Sequence, residues 1–516
     1  MNRKIRRQLA RRKRRIERRL DKQNLEGMEQ PMFTASNIHY EVADRTRAVG
    51  AGGIGAIHLL ARRLGLIDAI DEQLQVLKIH LPYHESDHVL NLAYNALVGG
   101  GCLEHLELLR NDESYLDALG ARRIPDPTTA GDFCRRFDEG HIRTLLSISH
   151  QTSHKAWAQQ TDPEFFEQAI IDMDGVMVET GGECKEGIDI NYESRWGYHP
   201  LIVSLANTGE VLSLVNRSGN RPSHEGAAAE ADRAIAMCRA GGFRRILLRG
   251  DTDFTQSKHL DGWNADGVQF IFGRDVSPAL HVLVDDLPDS AWKTLHRPPR
   301  YEVQTTPRGR PENVKQPIVR ERGFKNIRLL WEDVAEMKYR PGACEKPYRL
   351  VIVRKNLSVA EGQGAQRRIF DDYRYFFYLT NDWETPMEEL VLLANDRCNQ
   401  ENLHAQLLGG VRSLTAPVDT LLSNWAYMVM TTLAWNLKAW FALSLPAEPG
   451  RWQEQHREEK RRVLRMEFKT FVNAFMRIPC QIVRTGRRLI YRLLAWNPWQ
   501  PIFFRLLDQL TLPQRR

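Results

Sequence analysis

Cysteine is sparse and unpaired in this chain. Seven residues (Cys102, Cys134, Cys184, Cys238, Cys344, Cys398, Cys480) are spread over 516 positions, with no CxxC pair and no histidine at zinc-ligand spacing. That distribution excludes a disulfide scaffold and a zinc-ribbon centre, and reads as reduced thiols in a cytoplasmic chain. The first twenty residues contain no apolar stretch, which excludes a secretory leader there. A long uninterrupted apolar run is missing too. The nearest is LLSNWAYMVMTTLAWNLKAWFALSL at 421–445, and Asn424, Asn436 and Lys438 interrupt it. Each is costly in hydrocarbon, so the stretch reads as a buried helix and no membrane is expected. Acid is scarce at both ends. Residues 1–20 carry eleven Arg or Lys and one Glu, and residues 451–516 carry fifteen basic and five acidic side chains. Each end is therefore +10, which leaves −13 for the middle out of a total of +7. Such asymmetry points to a polyanionic partner, nucleic acid before an anionic membrane. Arg6, Arg7, Arg11 and Arg12 are the nearest candidates to touch it, although a basic tail is as readily a solvated charge run.

What is present has an order. Residues 1–30 read as a basic tail or helix and 31–160 as a helical domain, with apolar residues at three-to-four spacing in LIDAIDEQLQVL and DHVLNLAYNALVGG. In IPDPTTAGDFCRRF, Thr129 followed by Asp132 resembles a capping box and predicts a helix start, with a DNA-reading helix-turn-helix as one use. Residues 161–274 change texture. EQAIIDMDGVMVE, HPLIVSLANTGE and VLSLVNRSGN read as three strands, SHEGAAAEADRAIAMCRAGG as a helix closed by glycines, and RRILLRGD and VQFIFGRD as strands around another helical piece. This order is that of a ribonuclease-H-like α/β core, and is shared with other α/β folds. Residues 275–350, with HRPPRYEVQTTPRGRPENVKQP, read as a β-rich insertion. Residues 351–415 resume the core with a helix, and 416–516 read as a basic helical region.

Asp174 and Asp251 each end a predicted strand, where reacting groups collect in open α/β sheets. Glu401 lies on the helix after the insertion. Three carboxylates suit hard cations such as Mg²⁺ or Mn²⁺, and two such ions would clamp the attacking and leaving oxygens of a phosphodiester. Strand-end and helical acids are also ordinary caps and solvated charges, so the trio alone decides nothing.

Its surroundings add a resemblance. IIDMDGVMVE, KEGIDINYESRWGYHPLIVSLANTGEVLSLVNRSGN, LLRGDTDF and YFFYLTND followed by DRCNQENL resemble, in order and spacing, the segments of the DDE transposases of insertion sequences, most closely the group numbered 1380. The resemblance runs from about residue 40 to about residue 500, and includes SNWAYMVMTTLAWNLKAWF and IVRTGRRLIYRLL as later helices. It implies a ribonuclease-H-like core, catalytic and metal-holding roles for Asp174, Asp251 and Glu401, and two Mg²⁺ or Mn²⁺ ions. It also implies strand cleavage and strand transfer on double-stranded DNA, in a homo-oligomer that pairs two ends. Arg397 keeps the family's spacing to Glu401. Arg217, Arg397 and Asn220 are candidates to position phosphate, with a strand-end salt bridge as the alternative for Arg217. Ala394 and Leu408 stand where many relatives have a Tyr and a Lys that hold DNA, and His404 or Arg412 are the candidates to substitute. Trp331, in an LLW run, reads as core.

The segment IIDMDGVMVET also resembles the first motif of haloacid-dehalogenase-type phosphatases, with Asp172 as nucleophile and Asp174 as acid/base. That motif normally opens its domain, its later acidic segment would need an Asp where Thr255 stands, and it gives Glu401 no role. A transposase-derived DNA-binding protein without cleavage activity is the third reading.

Overall fold

The computed structural model describes residues 2–21, 33, 35–43, 46–191, 193–298, 327–359, 373–447, 449–486 and 488–511. Part of the Pro- and Arg-rich stretch of the expected insertion lies outside them. The chain forms two compact units, each assembled from separated segments. One comprises Phe166–Gly175 and Pro222–Glu401; the other comprises Met1–Phe165, Val176–Arg221 and Asn402–Arg516.

The first of these is mixed α/β. Its strands are β1 (Gln168–Gly175), β2 (Arg245–Gly250), β3 (Gln269–Arg274), β4 (Lys293–Thr294), β5 (Ile327–Tyr339), β6 (Tyr348–Val359) and β7 (Tyr373–Thr380). They lie side by side in the order β4-β5-β6-β7-β3-β2-β1 within a large mixed sheet. The β1–β2 and β2–β3 pairs are parallel, and β7 joins β3 antiparallel. The strands placed in the insertion thus extend the main sheet instead of standing apart, because β5, β6 and β7 hydrogen-bond in one antiparallel series that continues onto β3.

Helix α1 (Ala227–Ala240) follows as predicted, and its end is turned by Gly242 at φ +101°, a conformation that favours glycine. It packs on β1 and β2. Helices α2 (Ser257–Ala265) and α3 (Pro278–Asp285) come next along the chain, and on the opposite face lies α4 (Met387–Asn395), whose Met387, Leu390, Val391 and Ala394 close over Leu247, Ile271, Val334, Val351 and Val353. Burial of each large side chain here contributes about 1.5–3 kcal/mol. Alternation along β5 sends Val334 to this core and Trp331 to the other face. Trp331 is accordingly half-buried, not core as expected, and lies beside Tyr373 with Arg354 over its ring.

The second unit is mainly helical. Its centre is the helix Leu421–Leu443, buried along nearly its whole length. None of the described helices is long and apolar enough to cross a membrane. The polar groups that interrupt its sequence have definite partners: Asn424 donates to the carbonyls of Val418 and Thr420, Lys438 donates to that of Leu464, and Asn436 bonds to the hairpin Leu201–Leu205/Glu210–Val215. Asn436 accepts from the amide of Val211 and donates to its carbonyl, both at 2.9 Å, while Trp425 and Trp435 donate to the carbonyls of Leu214 and Gly209. Glu210, with no exposure, accepts from Ser153, Trp157, Thr208 and Trp440. Four donors on one carboxylate satisfy a charge that would otherwise be costly in this core.

Two expectations are corrected in this unit. The helix predicted at Thr129 begins earlier, at Pro127, and Asp126 caps it by accepting from the Thr129 amide at 2.9 Å. The segment expected to be helical around IVRTGRRLIYRLL is a β-hairpin, Cys480–Thr485 with Arg488–Leu493. Ile482, Val483, Thr485, Ile490 and Tyr491 are residues that suit a pleated ribbon, and Gly486 lies in its turn.

Candidate active site: paired aspartates at adjacent strand ends

The parallel ladder of β1 and β2 places Asp172 opposite Arg249, an offset of 77 that holds from Gln168↔Arg245 onward. Two residues further, Asp174 and Asp251 share the same offset, so the two carboxylates leave neighbouring strand ends from one face of the sheet. That face is graded. Ile170 and Leu247 belong to the apolar packing under α4. Asp172 and Arg249 follow as a buried pair, at 2% and 3% side-chain exposure, with both Asp172 oxygens accepting from the guanidinium at 2.7 and 2.8 Å. Arg249 also donates to the Leu393 carbonyl at 2.8 Å, which ties the strand to α4. Last come Asp174 and Asp251, at the edge.

The turn that follows α4, Asp396–Cys398, supplies Arg397. Its Nη1 lies 3.1 Å from Asp174 Oδ2, with side-chain exposures of 18% and 14%. Burial pushes the Asp174 carboxyl up to about 7; Arg397 opposes this and Asp251 reinforces it. Burial also raises Asp251, again against Arg397. Asp251 caps the short turn Thr252–Phe254 by accepting from the Asp253 amide at 3.0 Å. Two desolvated carboxylates therefore share the field of a single guanidinium. For Asp172, burial raises the carboxyl against the pull of Arg249.

Glu401 occupies the predicted helix, Asn399–Ala405, but its side chain is exposed. Between Arg397 and Glu401 the chain passes from the 3-10 turn into a fresh α-helical turn, and a π segment, Gln406–Val411, follows. The structure brings together Asp174, Asp251 and Arg397. Among the described residues, no three His, Cys, Asp or Glu side chains converge on a common ion position. The aspartate pair nonetheless suits a hard divalent cation: it offers oxygen donors only, desolvated and mutually repelling, with less positive charge nearby than negative.

The remaining candidates fall elsewhere. Arg217 is buried in the helical unit and donates to the His199 carbonyl at 2.9 Å, while Asn220 donates to Asp189 at 2.6 Å. Arg6, Arg7 and Arg11 are exposed on the helix Arg3–Arg19, and Arg12 is half-buried. His404 is buried, Arg412 is exposed at φ +59° and Leu408 is exposed. Ala394 is part of the core under α4.

Sequence reading missed Arg249 and Tyr378. The constant offset of the ladder is the signal that would have found Arg249, once β1 and β2 are taken as parallel neighbours. Tyr378 on β7 donates at 3.3 Å to Oδ1 of Asn395, two residues before Arg397. Burial raises its phenol, and the charges of Arg297 and Arg397 oppose the rise. Removing this long bond by Tyr378→Phe is expected to lower stability by only about 0.5–1 kcal/mol, read from denaturant midpoints. A loss above about 3 kcal/mol would show that the phenol organises more than Asn395.

Fold and site together define a carboxylate-pair centre at the strand ends of a mixed α/β sheet. The chain belongs to the family Transposase DDE domain group 1, whose sequence model matches residues 41–514. No curated protein sequence matches it. Among solved structures it is similar to the piggyBac transposase synaptic complex with hairpin DNA, at 10% identity and a TM-score of 0.34, over 82% of this chain and 88% of that one.

Proposed function

We propose that this chain is an insertion-sequence transposase that cleaves DNA strands at terminal inverted repeats and joins the freed ends to a target. The observation that carries the reading is the pairing of Asp174 and Asp251 at adjacent strand ends over Arg397, within a chain of the DDE transposase family. The order strand, strand, strand, helix, strand, helix, strand supports a ribonuclease-H-like core. Asp174, Asp251 and Glu401 would hold two Mg²⁺ or Mn²⁺ ions, which when bound supply positive charge to phosphodiester oxygens.

The protein's own groups do the positioning. The Asp172–Arg249 pair sets the spacing of β1 and β2 and so the separation of the two carboxylates above it. Arg397 orients Asp174 and keeps it accessible to ionisation at neutral pH. Its planar donors also suit a phosphate oxygen. Glu401, one turn further along the helical segment, is the third donor. Double-stranded DNA is the substrate, and pairing of two ends calls for a homo-oligomer, acting in the cytoplasm on the nucleoid.

The test is strand cleavage of labelled DNA carrying the sequences that flank the gene, with Mg²⁺ or Mn²⁺, and with a phosphatase substrate in parallel. Wild type is expected to cut at the repeat tip, and Asp174→Ala, Asp251→Ala and Glu401→Ala to lose cutting while still binding DNA. Binding without cleavage in wild type would instead support the transposase-derived binding protein. Phosphate release that depends on Asp172 would support the phosphatase. That outcome is disfavoured by the burial of Asp172 and the engagement of both its oxygens by Arg249.

A further inference from the structure

The hairpin Cys480–Leu493 carries Arg484, Arg487, Arg488 and Arg492 and no acid. Its base is firmly held. Val49 pairs with Cys480, the Ile482 amide donates to the Arg47 carbonyl at 2.9 Å, and Tyr491 donates to the Ala118 carbonyl. Cys480 is 1% exposed and packs so tightly on Gly52 that a Cβ there would lie 2.2 Å from its sulfur. The far end differs. Arg484, Thr485, Gly486, Arg488 and Leu489 are all exposed, as is Arg492. Register places Arg484 on the face of Ile482 and Tyr491, and Arg488 and Arg492 on the face of Gln481 and Thr485. The tip is therefore cationic on both faces. Among the described residues, Arg484, Arg488 and Arg492 are in no ion pair.

A second cationic element is fastened to the same ribbon. The helix Arg3–Arg19 holds eleven Arg or Lys and a single acid, Glu17. One stripe of Ile5, Leu9, Arg12 and Ile16 is buried or half-buried, and the other ten bases are exposed. Arg12 donates to the carbonyls of Leu493, at 2.7 Å, and Ala495, at 3.2 Å, where the ribbon ends. Like charges at helical spacing destabilise a helix unless a counter-charge is present. Two adjoining elements thus concentrate positive charge, only Lys13 of the helix pairing with its Glu17, and one of them is a ribbon about 20 Å long, by the usual rise per strand residue. A two-stranded ribbon fits the major groove of B-DNA, which is about 12 Å wide.

We propose that the ribbon Cys480–Leu493 and the helix Arg3–Arg19 together form a duplex-DNA-binding surface, the ribbon tip contacting the backbone along a groove and the helix the adjoining phosphates. This deepens the transposase reading and rests on it. The full-length chain would be titrated with a labelled duplex of random sequence, in chelator, over a range of salt. The triple variant Arg484→Gln/Arg488→Gln/Arg492→Gln is expected to weaken binding about 10- to 100-fold near 0.1 M salt. It should also reduce the slope of log K against log salt by about 2 to 3, one contact accounting for about 0.9. The corresponding Arg→Lys triple, which keeps the charge, should stay close to wild type in slope, and thermal midpoints would verify that both fold.

If the Gln triple binds as wild type does while Arg6→Gln/Arg7→Gln/Arg11→Gln loses affinity, the ribbon is overturned and DNA binding stands. A Lys triple as weak as the Gln triple would overturn the electrostatic role. A wild-type chain that ignores duplex but binds vesicles of anionic phospholipid would overturn both the surface and the transposase reading.

Discussion

With metal removed by a chelator, Asp174→Asn is expected to stabilise the protein at pH 8 by about 4 kcal/mol and to change it little at pH 4. The unfolded carboxyl titrates at 3.8 and the folded one at about 7. Between those values the folded state holds a proton that the unfolded state has released, so wild-type stability falls as pH rises through that window. Above pH 7 the deficit is complete; below pH 3.8 both states are protonated and it vanishes. The difference between the two values corresponds to about 4 kcal/mol. An amide escapes this cost, yet it cannot supply the charge that a hard cation needs, so strand cleavage should fall by about 10²–10³-fold or more. Urea unfolding at the two pH values, beside the cleavage assay, measures both. A stabilisation equal at pH 4 and pH 8 would mean that the carboxylate's ionisation is not what strains the site. Stability would then be limiting function nowhere near this pair.

The buried pair below it should behave in the opposite sense. Arg249→Met is expected to destabilise the protein by about 3–5 kcal/mol, because it strands Asp172 as an uncompensated charge at 2% exposure. The double variant Asp172→Leu/Arg249→Met removes both charges and should recover most of the loss. What remains is about 1 kcal/mol for the Leu393 carbonyl, which loses its donor. Denaturation of the two single variants and the double closes the cycle. Near-additive losses would show that the two residues act independently, against the bidentate geometry. Cleavage by the double variant would separately report whether the pair aligns Asp174 and Asp251 or merely fills the space beneath them.

Where a side chain's role follows from its own segment, it was legible in the sequence. Asp174 and Asp251 could be placed because apolar runs ending in an acid mark strand ends, and α1 because a periodic run closed by glycines marks a helix. Arg249 was not legible. A charged residue inside a buried strand takes its meaning from the strand alongside, and Asp172 is 77 positions away. Trp331 failed for a related reason: an LLW run does not reveal which of its alternating positions faces the core. The ribbon at 480–493 was misread because Ile482, Val483, Leu489, Ile490 and Leu493 satisfy helical spacing nearly as well as alternation. Its anchors, Gly52 and Ala118, lie hundreds of residues away. Glu401 was placed on the correct helix, but its exposure depends on the break in helical geometry after Arg397, which no local pattern announces.

The threading of the chain through its two units has a consequence for synthesis. Phe166–Gly175 is flanked on the ribosome by segments of the other unit, and it cannot complete its ladder until Arg245–Arg249 have been made. Arg397 and Glu401 emerge far later. A nascent chain thus cannot bring Asp174, Asp251 and Arg397 together until most of its length is translated, and a message broken upstream of that point yields fragments in which Asp174 lacks its guanidinium.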